Sequence, residues 1–159
     1  MIVGFLSDIH EDIDNLNLAL EILAQNHCEK IICLGDIVGF TLPFYHYIHS
    51  RNAEACVTHI RNRCSVSVAG NHDLYAVRKI PSYTAGFDYD ANWYDLDYTV
   101  REKRARGKIW LYEDNEIPSA LSSASLDFLR ELHEFEPVAL DDVSSVSYTH
   151  LTLPTNREV

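Results

Sequence analysis

The sequence predicts an α/β fold, in which short buried strands alternate with amphipathic helices. Residues 2–7, 30–34 and 65–69 have the length and apolar composition of buried strands, and segments with helical spacing separate them. Acidic, amide or imidazole side chains follow each of these strands at once. We therefore expect a β-α-β-α-β order with parallel pairing, and polar groups gathered along one edge of the sheet.

Three segments have the pattern of helices. Asp12 is a good N-cap and precedes an apolar stripe at helical spacing, which predicts a helix packed on the sheet. Apolar residues at positions 44–60 predict helix in one or two pieces, and a cap at Ser122 or Ser123 begins a last helix that ends near Leu132. The stripe of the first helix consists of Ile13, Leu16, Leu20 and Leu23.

The middle of the chain has a different composition. Residues 83–98 combine aromatic and aspartate side chains, which predicts a cap anchored on the core by its aromatic rings; an aromatic wall beside a pocket is the alternative. Basic residues then dominate positions 101–108, where Glu102 is the only acid. We expect a solvated helix face there, and a clamp on a substrate phosphate is the alternative.

Charge and cysteine usage limit the possible functions. The chain has 159 residues and a net charge of −11, so a phosphate backbone would repel it unless bound cations reverse the local field. A role in coating nucleic acid is thereby disfavoured, whereas a small anionic substrate drawn in by metal ions is compatible. The 4 cysteines have no zinc-knuckle or redox spacing, which predicts reduced thiols that are mostly buried.

The sequence has no pattern of a targeting or membrane segment. Residues 1–6 are apolar but short, lack a basic leader and run directly into Asp8. No apolar run approaches the roughly 20 residues needed to cross a bilayer. We therefore expect a cytoplasmic protein that does not bind membranes.

The polar side chains at the three strand ends have the chemistry of a metal site. Asp8 and His10 lie two positions apart, so both can turn toward one ion at the end of the first strand. Asp36 offers a carboxylate that can bridge two cations, Asn71 an amide oxygen and His72 an imidazole. Such mixed oxygen and nitrogen ligands suit Mn, Fe or Zn. Two ions about 3.5–4 Å apart would stabilise the attacking and leaving oxygens of a displacement at phosphorus.

Together these motifs resemble those of the calcineurin-like metallophosphoesterases, specifically their compact bacterial and archaeal phosphodiesterase branch. The matching segments are SDIH at residues 7–10, GDIVG at 35–39 and GNHD at 70–73, and residues 121–132 are similar to a helix of that branch. The resemblance implies a four-layer α-β-β-α sandwich. This chain would form its N-terminal part, with the second sheet largely missing.

The resemblance also implies roles for individual residues. It implies hydrolysis of phosphomonoesters or phosphodiesters by a hydroxide held between two divalent ions, with Mn²⁺ as the first choice and Fe or Zn as alternatives. Phosphate-ester small molecules or nucleotides are the implied substrates. His72 would contact the phosphate together with Asn71 and protonate or stabilise the leaving oxygen, while Asp73 orients the imidazole. The implied metal ligands are Asp8 and His10 for one ion, Asp36 as the bridge and Asn71 for the other ion.

The sequence departs from the family pattern in ways that keep a second hypothesis open. Glu11 and Asp12 replace the usual Gly-Asn, which would add negative charge beside the metals, and Gly39 replaces a second aspartate. A later metal-binding histidine and the final Gly-His-x-His are absent, since neither His133 nor His150 has the right setting. The alternative is therefore a non-catalytic module that binds metal or phosphate weakly. A doubly wound nucleotide-binding protein is disfavoured, because no glycine-rich phosphate loop follows the first strand.

The last segment of the chain differs from the rest. Residues 147–155 have neither helical nor strand periodicity and no charge, and their back-translation is similar to a transposase adapter used for sequencing libraries. We therefore expect a metallophosphoesterase domain at residues 1–144, incomplete at its C-terminus, and a non-native tail at residues 145–159. A genuine irregular tail is the alternative.

Overall fold

The computed structural model describes residues 1–42, 44–84, 86–109, 111, 115–140 and 143–148. The helices are α1 (Ile13–Gln25), α2 (Ala53–Arg63), α3 (Asn71–Ala76), α4 (Tyr98–Ala105) and α5 (Ser123–Glu131), with one 3₁₀ turn at Trp93–Asp95. The strands are β1 (Val3–Leu6), β2 (Lys30–Cys33), β3 (Phe40–Thr41), β4 (Val66–Ser67), β5 (Glu116–Ile117), β6 (Phe135–Leu140) and β7 (Val143–Tyr148).

A three-stranded parallel sheet in the order β1-β2-β4 positions the polar residues at its carboxyl edge. Val3 pairs with Lys30, and Ile32 pairs with Val66, so the three strands end close to one another. Two further pairs are antiparallel, β3 with β5 and β6 with β7. The predicted α/β class and its parallel β-α-β order are confirmed.

The first helix begins where the sequence predicts, but the second begins later. Asp12 caps α1 by accepting a hydrogen bond from the backbone N–H of Asn15. Asn52 caps α2 in the same way, so the helix predicted from residue 44 was wrong over its first part. Tyr45 and Tyr47 instead lie in an irregular segment and pack their rings against Phe40.

The core lies between the sheet and the helices, and α1, α2 and α5 all contribute to it. A polar contact near the surface also ties α5 to α2. The Glu54 carboxylate of α2 accepts hydrogen bonds from the backbone and hydroxyl of Ser122 and from the hydroxyl of Ser125, at 2.9 Å each. The main core residues include Leu6, Leu16, Cys33, Val57, Ile60 and Leu129.

The aromatic segment packs as a small cluster of its own. Phe87, Trp93 and Ala105 are buried in it, and Trp93 is only 1% exposed, as expected for a cap anchored by aromatic rings. The basic helix after it spans Tyr98–Ala105 and so ends before Lys108, and one of its cations is not solvated. Arg101 is 7% exposed, and its guanidinium lies 6.0 Å from the Trp93 ring and 5.7 Å from the Tyr98 ring.

The last described element is the β6–β7 hairpin, which crosses the boundary predicted between residues 144 and 145. Pro137 pairs with Val146 in it. The boundary itself stays a prediction, and residues 149–159 with His150 lie outside the described residues. Among the described helices, none is both long and apolar enough to span a membrane.

Candidate metal centre

Two loops at the carboxyl edge of the sheet are joined by backbone hydrogen bonds. The amides of Ile9 and His10 both donate to the carbonyl of Asp36, each at 2.9 Å, and the amide of Glu11 donates to Ile37 at 3.0 Å. The segment after β1 therefore lies directly against the segment after β2. This contact explains why residues that are far apart in the sequence meet at one place.

The backbone of these loops is strained at the candidate ligands. Asp8, His10 and Asp36 have φ angles of 54°, 45° and 53°, in the left-handed region that L-residues rarely adopt. Each such residue costs on the order of 1–3 kcal/mol and persists only where the surroundings hold it. The strain turns all three side chains away from the directions of a regular strand, and it coincides with the candidate site.

Asp8, His10 and Asp36 form a group that can hold a metal ion. One ligand atom from each of them lies within 4.8 Å of the others, and the Nε2 atom of His10 is 3.9 Å from Oδ1 of Asp8. Nδ1 of His10 lies 2.8 Å from the carbonyl of Gly39, a contact that directs the ring proton to Nδ1 and leaves the Nε2 lone pair toward the carboxylates. Two carboxylates and one imidazole suit a divalent ion of the Mn, Fe or Zn type.

The start of α3 approaches the Asp36 carboxylate closely. The backbone N–H of His72 donates to Oδ1 of Asp36 at 3.0 Å. A Cβ atom on Gly70 would lie 2.1 Å from that same oxygen, so this position requires glycine for space, with a φ of −85° that any residue can adopt. Asn71 follows as the first residue of α3 and is half-buried. Its role as a ligand of a second ion stays a prediction.

His72 is held between two other side chains. Its Nδ1 atom lies 2.7 Å from Oε2 of Glu116, and both side chains are nearly inaccessible, at 9% and 4% exposure. Its ring meets the ring of His10 edge-on, with centroids 4.8 Å apart. The structure thus places His72 beside the candidate metal group and gives its imidazole a carboxylate partner from β5.

Asp73 accepts hydrogen bonds from three backbone amides. Its Oδ1 accepts hydrogen bonds from the amides of Ile37 and Val38 at 2.9 and 3.1 Å, and its Oδ2 accepts from Gly70 at 2.9 Å. These bonds join the β2 loop to the start of α3. That Asp73 orients the imidazole stays a prediction, and the carboxylate in contact with Nδ1 of His72 is that of Glu116. A catalytic role for His72 stays a prediction.

Burial and charge shift the pKa values of the site residues in opposite directions. Burial alone would lower the pKa of His72, but the Glu116 hydrogen bond and the nearby carboxylates outweigh it and raise this pKa. Burial and the charge of His72 lower the pKa of His10. Burial raises the pKa of Asp36 and raises that of Asp73 to about 7. These opposite shifts favour the proton on His72 rather than on His10.

Glu11 does not add the free negative charge that the sequence predicts. Its side chain is fully buried, and its Oε2 lies 2.6 Å from Nε of Arg51, in an ion pair rather than an aligned hydrogen bond. Its Oε1 accepts from the amide of Gly39 at 3.1 Å and from the hydroxyl of Ser119. Arg51 neutralises this carboxylate and also donates to the carbonyls of residues 117 and 118.

Sequence reasoning missed three residues beside the centre. Glu116 lies in a strand of two residues, which is too short to show a period, and Arg51 precedes a helix cap. Tyr45 was assigned to a helix, but its ring stacks on His10 with centroids 4.6 Å apart and an angle of 29°. Burial and the charges of nearby carboxylates, including Asp36, raise the pKa of Tyr45 to about 12. Only its position in the folded chain identifies Tyr45 as a neighbour of the candidate metal centre.

Comparison with known proteins places these features in context. The family model of the calcineurin-like phosphoesterases matches residues 1–154, a range that crosses the predicted boundary at residue 144. An uncharacterized protein of Methanocaldococcus jannaschii is 38% identical over 77 residues, which are 48% of this chain and 28% of that protein. A metallophosphoesterase from Sphaerobacter thermophilus superimposes with a TM-score of 0.47 and 23% identity over 89% of this chain and 44% of its own. The chain thus spans less than a third of its curated relative.

Proposed function

The chain belongs to the calcineurin-like phosphoesterase family, and from this membership we propose that it takes part in metal-dependent hydrolysis of phosphate esters. One observation on this chain's own residues supports the proposal. Ligand atoms of Asp8, His10 and Asp36 converge within 4.8 Å at the carboxyl edge of the parallel sheet. Strained backbone at all three positions supports a functional rather than a structural reason for their arrangement.

The residues fit two divalent ions. Asp8 and His10 would hold one ion, Asp36 would contact both, and Asn71 would hold the other; we propose Mn²⁺ first, with Fe or Zn as alternatives. When bound, such ions lower the pKa of water and stabilise charge that develops on the phosphate oxygens. Tyr45 stacks on His10 and would restrict the orientation of that ring.

His72 is the group that we assign to the leaving oxygen. Because Nδ1 contacts Glu116, Nε2 is the ring atom that would carry the proton toward the substrate. The raised pKa of His72 keeps this imidazole protonated nearer to neutral pH, as an acid requires. Glu116 would then hold the ring orientation and stabilise the imidazolium before the proton is transferred.

A second function, weak binding of metal or phosphate without turnover, is supported by the size of the metal-ligating group. Among the described residues, this group consists of three side chains, Asp8, His10 and Asp36. The chain covers 28% of its curated relative, so the activity of the longer protein is itself a proposal for this chain. The two functions differ in turnover but share the ligands.

Hydrolysis of bis-p-nitrophenyl phosphate with Mn²⁺ separates the two functions. We expect turnover by the chain, a loss of about 100-fold or more in Asp36→Asn and His72→Ala, and no change in Asp14→Asn, an exposed acid on α1. Mn²⁺ binding measured by calorimetry should weaken in Asp36→Asn alone. Mn²⁺ binding without turnover would favour the binding module, and turnover that survives both substitutions would contradict the proposed site.

The state of the cysteines bears on the cellular compartment of the protein. All four cysteines, including the buried Cys33 and Cys56, are free thiols in the structure. Burial raises the pKa of Cys56 to about 12 and that of Cys64 to about 11, so neither is a ready thiolate. Free thiols support a reducing environment, and we propose the cytoplasm.

A further inference from the structure

A cavity of about 280 Å³ adjoins the candidate metal centre on the side of Glu116. Tyr75 and Ala76 line it, and they follow His72 by three and four positions on α3, which puts all three on one face of that helix. Glu116 also lines the cavity while its carboxylate contacts His72. A molecule with its phosphate at the metal centre can therefore extend into this space.

The lining combines aromatic rings with cations. The rings of Tyr75 and Tyr94 lie 5.6 Å apart at an angle of 54°, beside the apolar side chains of Pro118 and Leu121. Arg78 and Arg101 line the same cavity, and Arg101 is 7% exposed. Tyrosine rings and guanidinium planes are surfaces on which flat aromatic groups stack. The volume lies near the lower end for ligand pockets, which suits a single ring system.

We propose that this cavity is a subsite for the nucleobase of a nucleotide ester whose phosphate binds at Asp8, His10 and Asp36. The inference rests on the proposed hydrolase function, and it adds the class of substrate. Glu116 and the ion pair of Arg78 with Asp95 offset part of the positive charge in the lining, so the two arginines offer mainly guanidinium planes beside the tyrosine rings. Stacking of the base on the exposed face of one tyrosine ring would then position the ester for His72.

The first test measures the base alone, without metal. Binding of thymidine and of deoxyribose to the EDTA-treated 159-residue chain is followed by NMR chemical shifts. We expect thymidine to bind at least about tenfold more tightly than deoxyribose, because stacking of a base on an aromatic side chain raises the affinity by about that factor. Equal shifts with the two probes would overturn the subsite whatever the activity of the metal-loaded chain.

Three variants connect that binding to the cavity. Tyr94→Leu removes one ring, and Ala76→Phe fills the space from α3; each should weaken thymidine binding by about tenfold. Tyr83→Leu makes the same substitution at a tyrosine that is 69% exposed and outside the cavity, and it should leave binding unchanged. Thermal unfolding of each variant verifies its fold. Unchanged binding in a folded Ala76→Phe variant would contradict the assignment.

The second test separates failure of the subsite from failure of the proposed function. With Mn²⁺, both thymidine 5′-(p-nitrophenyl phosphate) and methyl p-nitrophenyl phosphate release the same product, and only the first carries a base. We expect Ala76→Phe to lower kcat/KM for the thymidine ester by about tenfold and to leave the methyl ester unchanged. Equal losses on both esters would overturn the base subsite while leaving hydrolysis intact.

Discussion

Oε2 of Glu116 lies 2.7 Å from Nδ1 of His72, across 44 positions of sequence. Both side chains are almost completely inaccessible, so this contact is formed where solvent screening is weak. A carboxylate at this distance fixes the ring and favours the imidazolium, which is the form that an acid at the leaving oxygen needs. The contact also defines the boundary between the candidate metal centre and the neighbouring cavity.

Glu116→Gln should lower the pKa of His72, because the amide keeps the size of the side chain but not its charge. NMR titration of the His72 ring in the metal-free chain measures this shift directly. Activity above the new pKa should fall about tenfold, as typically follows loss of a group that orients a catalytic histidine. Glu102→Gln, at an exposed position on α4, is the control. An unchanged titration of His72 would show that Glu116 only fills space.

Gly70→Ala should destabilise the chain and the candidate site together. The new methyl group would lie 2.1 Å from Oδ1 of Asp36 and 2.3 Å from the Asp36 amide, and backbone cannot move away cheaply. We expect a loss of about 2–3 kcal/mol in the free energy of unfolding, measured with urea, and weaker Mn²⁺ binding.

Gly4→Ala is the matched control for this substitution. Its methyl group would meet the terminal atoms of Leu23 at 2.6 Å, and a flexible side chain can turn aside. We expect a cost of about 1 kcal/mol or less and normal Mn²⁺ binding. A Gly70→Ala chain as stable as Gly4→Ala would mean that Asp36 does not need the close approach of α3.

The sequence predicted the strands and the first helix, because these elements depend on short stretches of neighbouring residues. The strand candidates and the Asp12 cap each depend on a few neighbouring residues, and β1, β2, β4 and α1 lie where these signals place them. The convergence of Asp8, His10 and Asp36 followed from parallel topology, because the strands β1 and β2 that precede them end at the same edge. Sequence alone was sufficient for that much of the candidate site.

The parts of the fold that the sequence did not predict depend on tertiary contacts. Phe44 and Ile48 have helical spacing, but both are exposed. The rings of Tyr45 and Tyr47 pack on Phe40 from an irregular segment instead. Glu116, which contacts His72, comes from β5, a strand of two residues that pairs with β3 and shows no period. A contact across such a distance depends on the path of the whole chain rather than on neighbouring residues.

Arg51→Met should cost about 3 kcal/mol of unfolding free energy, because it leaves the fully buried Glu11 carboxylate without its cation. The loss includes the hydrogen bonds from Arg51 to the carbonyls of residues 117 and 118. Adding Glu11→Gln should restore at least half of the stability, since the uncompensated charge is then removed. Urea unfolding of the single and double variants measures this coupling.

An exposed ion pair provides the comparison for that result. Arg130 lies 2.7 Å from Asp127 on α5, with both side chains more than half exposed. Arg130→Met should change the unfolding free energy by about 0.5 kcal/mol or less, because solvent already screens this pair. If Arg51→Met had the same small effect, the Glu11 carboxylate would have to be solvated or protonated in the folded chain.

Glu54→Gln should make the chain less stable in a pH-dependent way. Hydrogen bonds from the backbone and hydroxyl of Ser122 and from the hydroxyl of Ser125 lower the pKa of Glu54 in the folded state. A carboxyl with a lowered folded pKa contributes stability above its unfolded pKa, roughly 4.3, and loses it as pH falls through the folded pKa. We expect the variant to be about 0.5 kcal/mol less stable at pH 7, because solvent near Glu54 screens these charge-assisted bonds.

The difference between wild type and Glu54→Gln should therefore shrink below about pH 4, as the wild-type carboxyl takes up its proton. Urea unfolding at pH 7, 5, 4 and 3 measures this trend, with Glu21→Gln on the exposed face of α1 as the control. The hydrogen bonds of Glu54 go to Ser122 and Ser125, so its titration reports on the α2–α5 contact. A difference that stays constant over this range would mean that packing of the side chain, and not its charge, holds Ser122 and α5 in place.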